Sequence, residues 1–348
     1  MPLILAKTLK RLTSDLCGAT GSPQEEADRV AELLVGANLA GHDSHGVARL
    51  GLYMTRVGEG RLVPGAGISV LSEDEGTVSI SGNWGYGQMA ATQTMAYAID
   101  KARSRSVVVA GLRETNHLGR LSDYVLMAAD AGRVGLMFTN AGGFSKLVAP
   151  YGGATRRMST NPLAIAFPSA SKPHVCMDMS TACVSEGKVA HWKAAGISAP
   201  PDTILDPEGK ATTDPSTFYE GGAILSLGGP YGHKGFVLNF AIEILAGVLT
   251  GAGYLREEVD RFSNGSLMIL IDPAAFGPAG ALQLGIQDLV DYLKASPEDE
   301  SGNGILVPGE REAAMAEQRS VEGIDIPPET WSMLVELCSK SGVSVEPE

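Results

Sequence analysis

The 348-residue sequence predicts an α/β fold, a sheet flanked by helices, on three observations. Its length exceeds a typical single domain, and its 44% hydrophobic content supplies ample core. Helical and β-branched segments alternate through the middle, as where "ATQTMAYAIDKARSRS" runs into "VVVAGL". No G-x-G-x-x-G occurs; "GAGISV" and "GAGYLR" come nearest and lack the third glycine, so an ordinary Rossmann phosphate loop is not supported.

The elements follow in order. Ser22-Pro23-Gln24-Glu25 predicts a capping box, and Val30, Leu33, Leu34, Ala37 and Leu39 then form an apolar stripe that runs to Gly41. "HDSHGVARLGLYMTR" is expected to continue as helix past Gly46. The strand "VVVAGL", a shorter helix near 121–131 and the strand "VGLMFTN" come next. "NPLAIAFP" and "HVCMDMS" read as neighbouring buried strands, and "SEGKVAHWKAAG" as a helix. Segment 196–222 is expected to be a long polar loop and, at that length, a candidate lid. A helix over 234–250, the strand "SLMILID" and the helix "LQLGIQDLVDYLKAS" precede an acidic loop, "SPEDESGNG", and two terminal helices.

Composition excludes some functions. Forty acidic against twenty-seven basic residues leave a formal charge of −13, which argues against a nucleic-acid or anionic-membrane partner. An anionic substrate must then be drawn in by a local basic site. Cys17, Cys176, Cys183 and Cys338 are scattered without a C-x-x-C pair, as in a reduced cytoplasmic protein. The N-terminus lacks the features of a signal peptide, and "GFVLNFAIEILAGVLTG" is too short and too polar, with Asn239 and Glu243, to span a bilayer.

The densest chemistry lies at residues 42–53. On a continuous helix His45, Arg49 and Tyr53 fall at i, i+4 and i+8, so one face carries a proton donor or acceptor, a forked cation and a phenol. Arginine grips a carboxylate with two parallel hydrogen bonds, and Ser44 can orient the imidazole. A solvated helix face has the same pattern, and His42 with His45 fits a metal pair, although no third ligand motif stands out. "ETNHLGRLSDY" puts His117 and Gly119 between a strand and a helix start, a place for a ligand-facing imidazole or a phosphate. Arg156 and Arg157 can meet a phosphate or decorate a turn, and Thr160-Asn161-Pro162 marks a turn. Asp178 can pair with a histidine, hold a ribose hydroxyl or cap the helix near Ser185. Lys234 opposes the macrodipole at a helix start, which suggests a shared anion; Glu310, after Pro308 and Gly309, can bond ribose or cap its helix.

These blocks, "AGHDSHGVARLGLY", "NHLGRLSDY", "STNPLAIAFP", "DMSTA", "TTDP", "GHKGFVLNFAIEILAGVLTG" and "VPGERE", resemble in one order the type-2 malate/L-lactate dehydrogenase family, over about residues 10 to 330. That family also includes ureidoglycolate, sulfolactate and hydroxycarboxylate dehydrogenases and cyclic imino-acid reductases. The resemblance implies hydride transfer between NAD or NADP and a small anionic 2-hydroxy or 2-oxo acid in a cytoplasmic homodimer. An NADPH-dependent cyclic imino-acid reductase is the alternative on the same fold, and a metal-dependent hydrolase or lyase using His42 and His45 a more distant one.

Carried over, Ser44 and His45 look like the acid/base element, with His117 itself a candidate proton acceptor. Arg49, Tyr53 and Thr160 look like substrate-binding residues. His117, Leu118, Gly119, Arg120, Leu121, Asp178, Met179, Ser180, Lys234, Pro308, Gly309 and Glu310 look like cofactor contacts, and no metal site is implied. Gly51 stands where proline is common, Ser159 where glycine is usual, "DMSTA" replaces Asp-x-Ala-Thr-Ser, and Arg120 replaces a smaller residue. The implied architecture is α/β: a non-Rossmann nicotinamide-binding domain (76–310) with a mixed sheet flanked by helices, and a helical substrate and dimerisation portion from residues 1–75 and 311–348.

Overall fold

The computed structural model describes residues 2–142, 146–256, 261–300, 302 and 304–345. The N-terminal helices α1 (Ala6–Ala19) and α2 (Gln24–Leu39) pack together and bury Leu9, Leu12, Leu16, Val30 and Leu34. Leu334 and Cys338 of the last helix join the same core, and Leu3–Ile4 pairs antiparallel with Ile324–Asp325. The two ends of the chain thus share one hydrophobic cluster, in which each fully buried leucine contributes about 2 kcal/mol. The expected capping box does not form. The helix begins at Gln24, Pro23 occupies the cap position without a side-chain bond, and the Gln24 amide instead reaches Ser14 (3.1 Å) and Asp28 (2.9 Å).

The helix expected through Gly46 is also interrupted. Short 3-10 turns, Asp43–His45 and Val47–Arg49, flank an extended Gly46, and α3 runs only over Leu50–Gly58. The cause is Asn38, buried at the end of α2. Its Oδ1 accepts from Val47 N at 2.9 Å and its Nδ2 donates to Asp43 at 2.6 Å, replacing helical hydrogen bonds with side-chain ones. A β-carbon at Gly46 would lie 2.1 Å from Asn38 Oδ1, so only glycine fits.

Among the described residues the large sheet has seven strands: β1 (Ser69–Glu73), β2 (Thr77–Ser81), β3 (Val107–Thr115), β4 (Val134–Gly142), β5 (Leu163–Phe167), β6 (Val175–Met179) and β7 (Ser263–Ile271). Their spatial order is β1-β2-β3-β7-β4-β5-β6. Among the described residues of this sheet only β2 and β3 pair in parallel, through the crossover helix α4 (Gly87–Lys101), and the other neighbours are antiparallel. Strand β7 pairs on both sides and is buried along most of its length, hence its unbroken apolar run. Helix α4 and α5 (Ser122–Asp130) bury Met95, Tyr124, Val125 and Ala128 on one face against Val108, Leu112, Met137 and Met268.

Segment 196–222 is not a structureless loop. Ile204–Leu205, Ala211–Thr212 and Ala223–Ile224 form a small antiparallel sheet behind α6 (Glu186–Ala195) and α7 (Ser216–Tyr219). Ile204, Phe218 and Ile224 share a core with Val148 and Val189, and this anchoring removes the basis for a lid. Arg156 belongs to the same unit: its guanidinium lies 3.9 Å over the Phe218 ring and donates to the carbonyls of Phe218 and Gly222.

On the opposite face of the large sheet, α8 (His233–Ile242) passes into a π-helical turn, Glu243–Val248, rather than one regular helix. Ile242 and Ala246 there pack on Leu163, Phe138 and Ile165. Three further helices follow, α9 (Ala281–Lys294), α10 (Glu310–Glu322) and α11 (Pro328–Ser341). Ser301 and Asn303 of the expected acidic loop lie outside the described residues. Among the described residues, no helix is long and apolar enough to cross a membrane.

Candidate active site

Three chain segments converge between the terminal cluster and the large sheet: the turns at 42–49, α3, and the loop after β3. The loop is fixed from several sides. Asn116 Nδ2 donates to Trp84 O at 2.8 Å, Leu118 N to Asn264 at 3.2 Å, and Tyr124 Oη to Leu118 O at 2.5 Å. His117 is thereby pressed against Tyr53, whose phenol oxygen lies 2.7 Å from His117 Nδ1 and accepts from Gln88 Nε2 at 2.7 Å.

The His45 ring stacks on His117, with centroids 5.4 Å apart and planes at 29°. Ser44 Oγ lies 3.0 Å from His45 Nδ1. Arg49 Nε donates to the Ser44 carbonyl at 2.6 Å, and its guanidinium has no carboxylate partner among the described residues. Burial, then the Arg49 charge, pushes the His45 pKa down to about 3, and the same two causes hold His117 well below its ordinary value. Both imidazoles are neutral at pH 7.

His45 opens onto a chamber of about 670 Å³, which continues into a second of about 550 Å³. His42, Arg120, Asp178 and Met179 line both and form the neck of one cleft. Ser44, Gly119, Leu121, Thr160 and Ser180 line the first chamber, and Pro308 and Gly309 the second. Hydrogen bonds join two of the sequence blocks here, since Ser180 Oγ and Thr181 Oγ1 both donate to Thr160 O (3.1 and 2.9 Å). Pro308 O accepts from Cys176 N at 3.1 Å, covering the edge strand β6. Gly309 is left-handed (φ 99°), and a β-carbon there would press on His174 O at 3.0 Å.

Other expected residues stand elsewhere. Tyr53 and Leu118 are fully buried behind the wall, and Tyr53 holds His117 rather than facing the cleft. Because the helix breaks at Gly46, His45, Arg49 and Tyr53 do not share one helix face; the fold around Asn38 brings them together instead. Asp178 does not cap the helix at Ser185, which caps itself; it accepts from Ser122 N at 2.8 Å and caps α5. Burial raises the Asp178 pKa against that bond. Glu310 turns away from the cleft, pairing with Lys294 at 2.5 Å and accepting from Val307 N at 3.0 Å. Lys234 is exposed on α8, 5.5 Å over the Tyr231 ring, and lines neither chamber.

Sequence reasoning overlooked Asn38, Gln88, Lys188 and His191. The i, i+3 spacing of Lys188 and His191 in "GKVAHW" was the one available signal for that pair. Among the described residues no three His, Cys, Asp or Glu side chains gather as metal ligands. His42 faces Glu312 at 3.8 Å, and His45 faces Ser44.

A family profile described as malate/L-lactate dehydrogenase matches residues 4–335. The chain belongs to that family. An L-sulfolactate dehydrogenase from Methanothermobacter thermautotrophicus is 32% identical over 315 residues, 89% of this chain and 88% of that protein. An L-lactate dehydrogenase from Cupriavidus necator is 34% identical over 316 residues, 89% of each. The crystal structure of malate dehydrogenase from Entamoeba histolytica superposes with a TM-score of 0.93 at 28% identity, covering 99% of each chain. Within this family frame, Gly51 makes room for the C-terminal helix: a β-carbon there would stand 2.7 Å from Met333 Sδ. Arg120, the larger residue of the neck, is neutralised by Asp123.

Proposed function

We propose that the protein is a nicotinamide-dependent oxidoreductase acting at C2 of a small 2-hydroxy or 2-oxo carboxylic acid. The observation that carries this reading is the neutral His45 on the cleft wall, with Arg49, which itself lines neither chamber, bonded to the Ser44 carbonyl behind it and meeting no carboxylate among the described residues. A substrate carboxylate supplies the missing counter-charge and is held bidentately, which orients C2. On oxidation His45 accepts the hydroxyl proton; on reduction it returns a proton to the forming alkoxide. Binding the carboxylate also relieves one of the charges that depress His45.

The cleft suits a dinucleotide. Two chambers joined by a polar neck match a ligand with a ring system at each end, and each is within the ordinary range of ligand pockets, about 300–1,000 Å³. The sheet, with one parallel pair, fits a cofactor site that is not of the Rossmann type. Gly119, Arg120, Leu121, Asp178, Met179, Ser180, Pro308 and Gly309 would hold NAD or NADP, which supplies the hydride chemistry when bound. Residues 76–310 would form this cofactor-binding part, and 1–75 with 311–348 the substrate part, although β1 already pairs with the large sheet.

We further propose a cytoplasmic homodimer. Val237, Phe240, Ile244 and Val248 form an exposed apolar stripe on α8 and its π-helical continuation, of the kind a second copy would cover, and Lys234 lies at its start. The four cysteines are unbonded, in keeping with a reducing compartment. The test follows oxidation of NADH and NADPH in parallel with 2-oxo acids and cyclic imino acids. Turnover of a 2-oxo acid supports the reading, turnover of the imines alone replaces it with a reductase, and absence of nicotinamide binding overturns it.

A further inference from the structure

Four buried asparagines join the helical layer behind the large sheet to the chamber that contains His45, and they meet at Glu243. Glu243 opens the π-helical turn after α8, its side chain turns in toward the sheet, and it lines neither chamber. One carboxylate oxygen accepts from Asn140 Nδ2 at 3.0 Å and the other from Asn161 Nδ2 at 2.6 Å, and the Leu255 N–H bonds it as well. Among the described residues it meets no cation, so neutral donors hold a charge that burial disfavours. Two branches leave this junction. In the first, Asn140 O accepts from Asn264 Nδ2 at 2.8 Å, and Asn264 Oδ1 accepts from Leu118 N at 3.2 Å. Leu118 stands between His117 and the chamber-lining residues Gly119, Arg120 and Leu121. In the second, Asn161 holds a left-handed backbone (φ 28°), and its carbonyl accepts from Thr181 Oγ1 at 2.9 Å, beside the Thr160 and Ser180 that line the chamber.

From this juxtaposition we infer that Glu243 is a positioning residue of the site. Through Asn140 and Asn264 it sets the loop that carries His117, and through Asn161 it sets Thr160 and Ser180, so that two segments of the chamber wall keep one spacing. Anchoring of the turn does not call for a carboxylate, since Ile242 and Ala246 already pack it on Leu163, Phe138 and Ile165. Nor does glutamine substitute for it. Asn140 Nδ2 is committed to Glu243 and to Gly253 O (2.9 Å), and its Oδ1 to Gly265 N (3.1 Å), so the Asn140 amide cannot turn over to meet a second amide. The inference rests on the dehydrogenase reading only for the meaning of turnover. Arg49 lies outside both branches, bonded to Ser44 O, so the hold on the substrate carboxylate is independent of Glu243.

The test compares Glu243→Gln with the parent by amide hydrogen exchange and by kinetics well below the melting temperature. Peptides covering residues 116–121 and 178–183 are expected to exchange at least about tenfold faster in the variant, with peptides of α1 and α2 at the parent rate. For the 2-oxo acid that the parent reduces, kcat is expected to fall about 10- to 100-fold, because small displacements of reacting groups are costly, while KM stays within about twofold. Exchange unchanged at either loop overturns the inference, as does a uniform rise along the whole chain, which marks a role in stability alone. Parent-like kcat, or a change confined to KM, overturns it equally. If the parent reduces no 2-oxo acid, the exchange measurement decides by itself: faster exchange at both loops leaves the junction standing while the dehydrogenase reading falls. Should Glu243→Gln fail to fold, Asn264→Ser cuts the first branch alone. It is expected to speed exchange at 116–121 and leave 178–183 at the parent rate, and parent-like exchange at both overturns the inference.

Discussion

Tyr53 and His117, 64 residues apart in the chain, share a buried 2.7 Å hydrogen bond. Gln88 already donates to the phenol oxygen, so the phenol proton goes to His117 Nδ1 and the imidazole carries its own proton on Nε2. Tyr53→Phe leaves the Gln88 amide without an acceptor and releases the ring. A stability loss of about 1–3 kcal/mol is expected in denaturant unfolding, together with a lower kcat.

Arg49 is predicted to act on substrate affinity. Arg49→Met should raise KM for the 2-oxo acid about 100-fold, as expected for loss of a bidentate charged contact, with the cofactor dissociation constant near the parent value. Arg49→Lys should recover only part of the loss, since an ammonium cannot reproduce the fork. A parallel loss of cofactor binding would move Arg49 to the cofactor.

The pH dependence should differ with direction. His45 is deprotonated in the free enzyme down to about pH 3, so oxidation keeps its base, and its kcat/KM should be flat between pH 8 and 5. Reduction needs the protonated form, and its kcat/KM should rise as pH falls over the same window. Stability moves the other way. Each of these histidines takes up a proton near pH 6.5 when unfolded but resists it when folded, so stability is lost as pH falls below 6.5, by up to about 1.4 kcal/mol per pH unit for each. A melting temperature lower at pH 5 than at pH 7 is the expected result; equal values would contradict the neutral, buried pair.

Gly46→Ala is predicted to be severe for a surface-adjacent turn. Its β-carbon would overlap the Asn38 amide, forcing that buried side chain out of its bonds to Val47 and Asp43. A loss of about 2–4 kcal/mol is expected by chemical denaturation, with activity falling because His45 and Arg49 shift.

The α/β pattern was legible because strands such as "SLMILI" and helices such as α4 write their burial into local periodicity. The clustered residue types at 42–45, 119–121, 160 and 178–180 were legible, and the fold draws them around one cleft, while Arg49, His117 and Leu118 stand behind its wall. What escaped depends on contacts between distant segments. Gln88 reaches Tyr53 across 35 residues, and Asn38 replaces helical bonds beneath Gly46, with no spacing to announce either. Lys234 and Glu310 looked like ligand contacts from their helix positions, yet one lies on the outer face of α8 and the other is used by Lys294 and Val307 N. A helix start offers a place for an anion; tertiary packing decides whether that place faces a cleft.

The central claim, that His45 moves the proton, is tested most directly by comparing His45→Ala with His117→Ala in kcat and in nicotinamide binding. His45→Ala should lower kcat by about 100- to 10,000-fold while binding the cofactor as the parent does, and His117→Ala should weaken cofactor binding or impair both. Near-normal turnover in His45→Ala, with turnover lost in His117→Ala, would contradict the account and give the proton to His117.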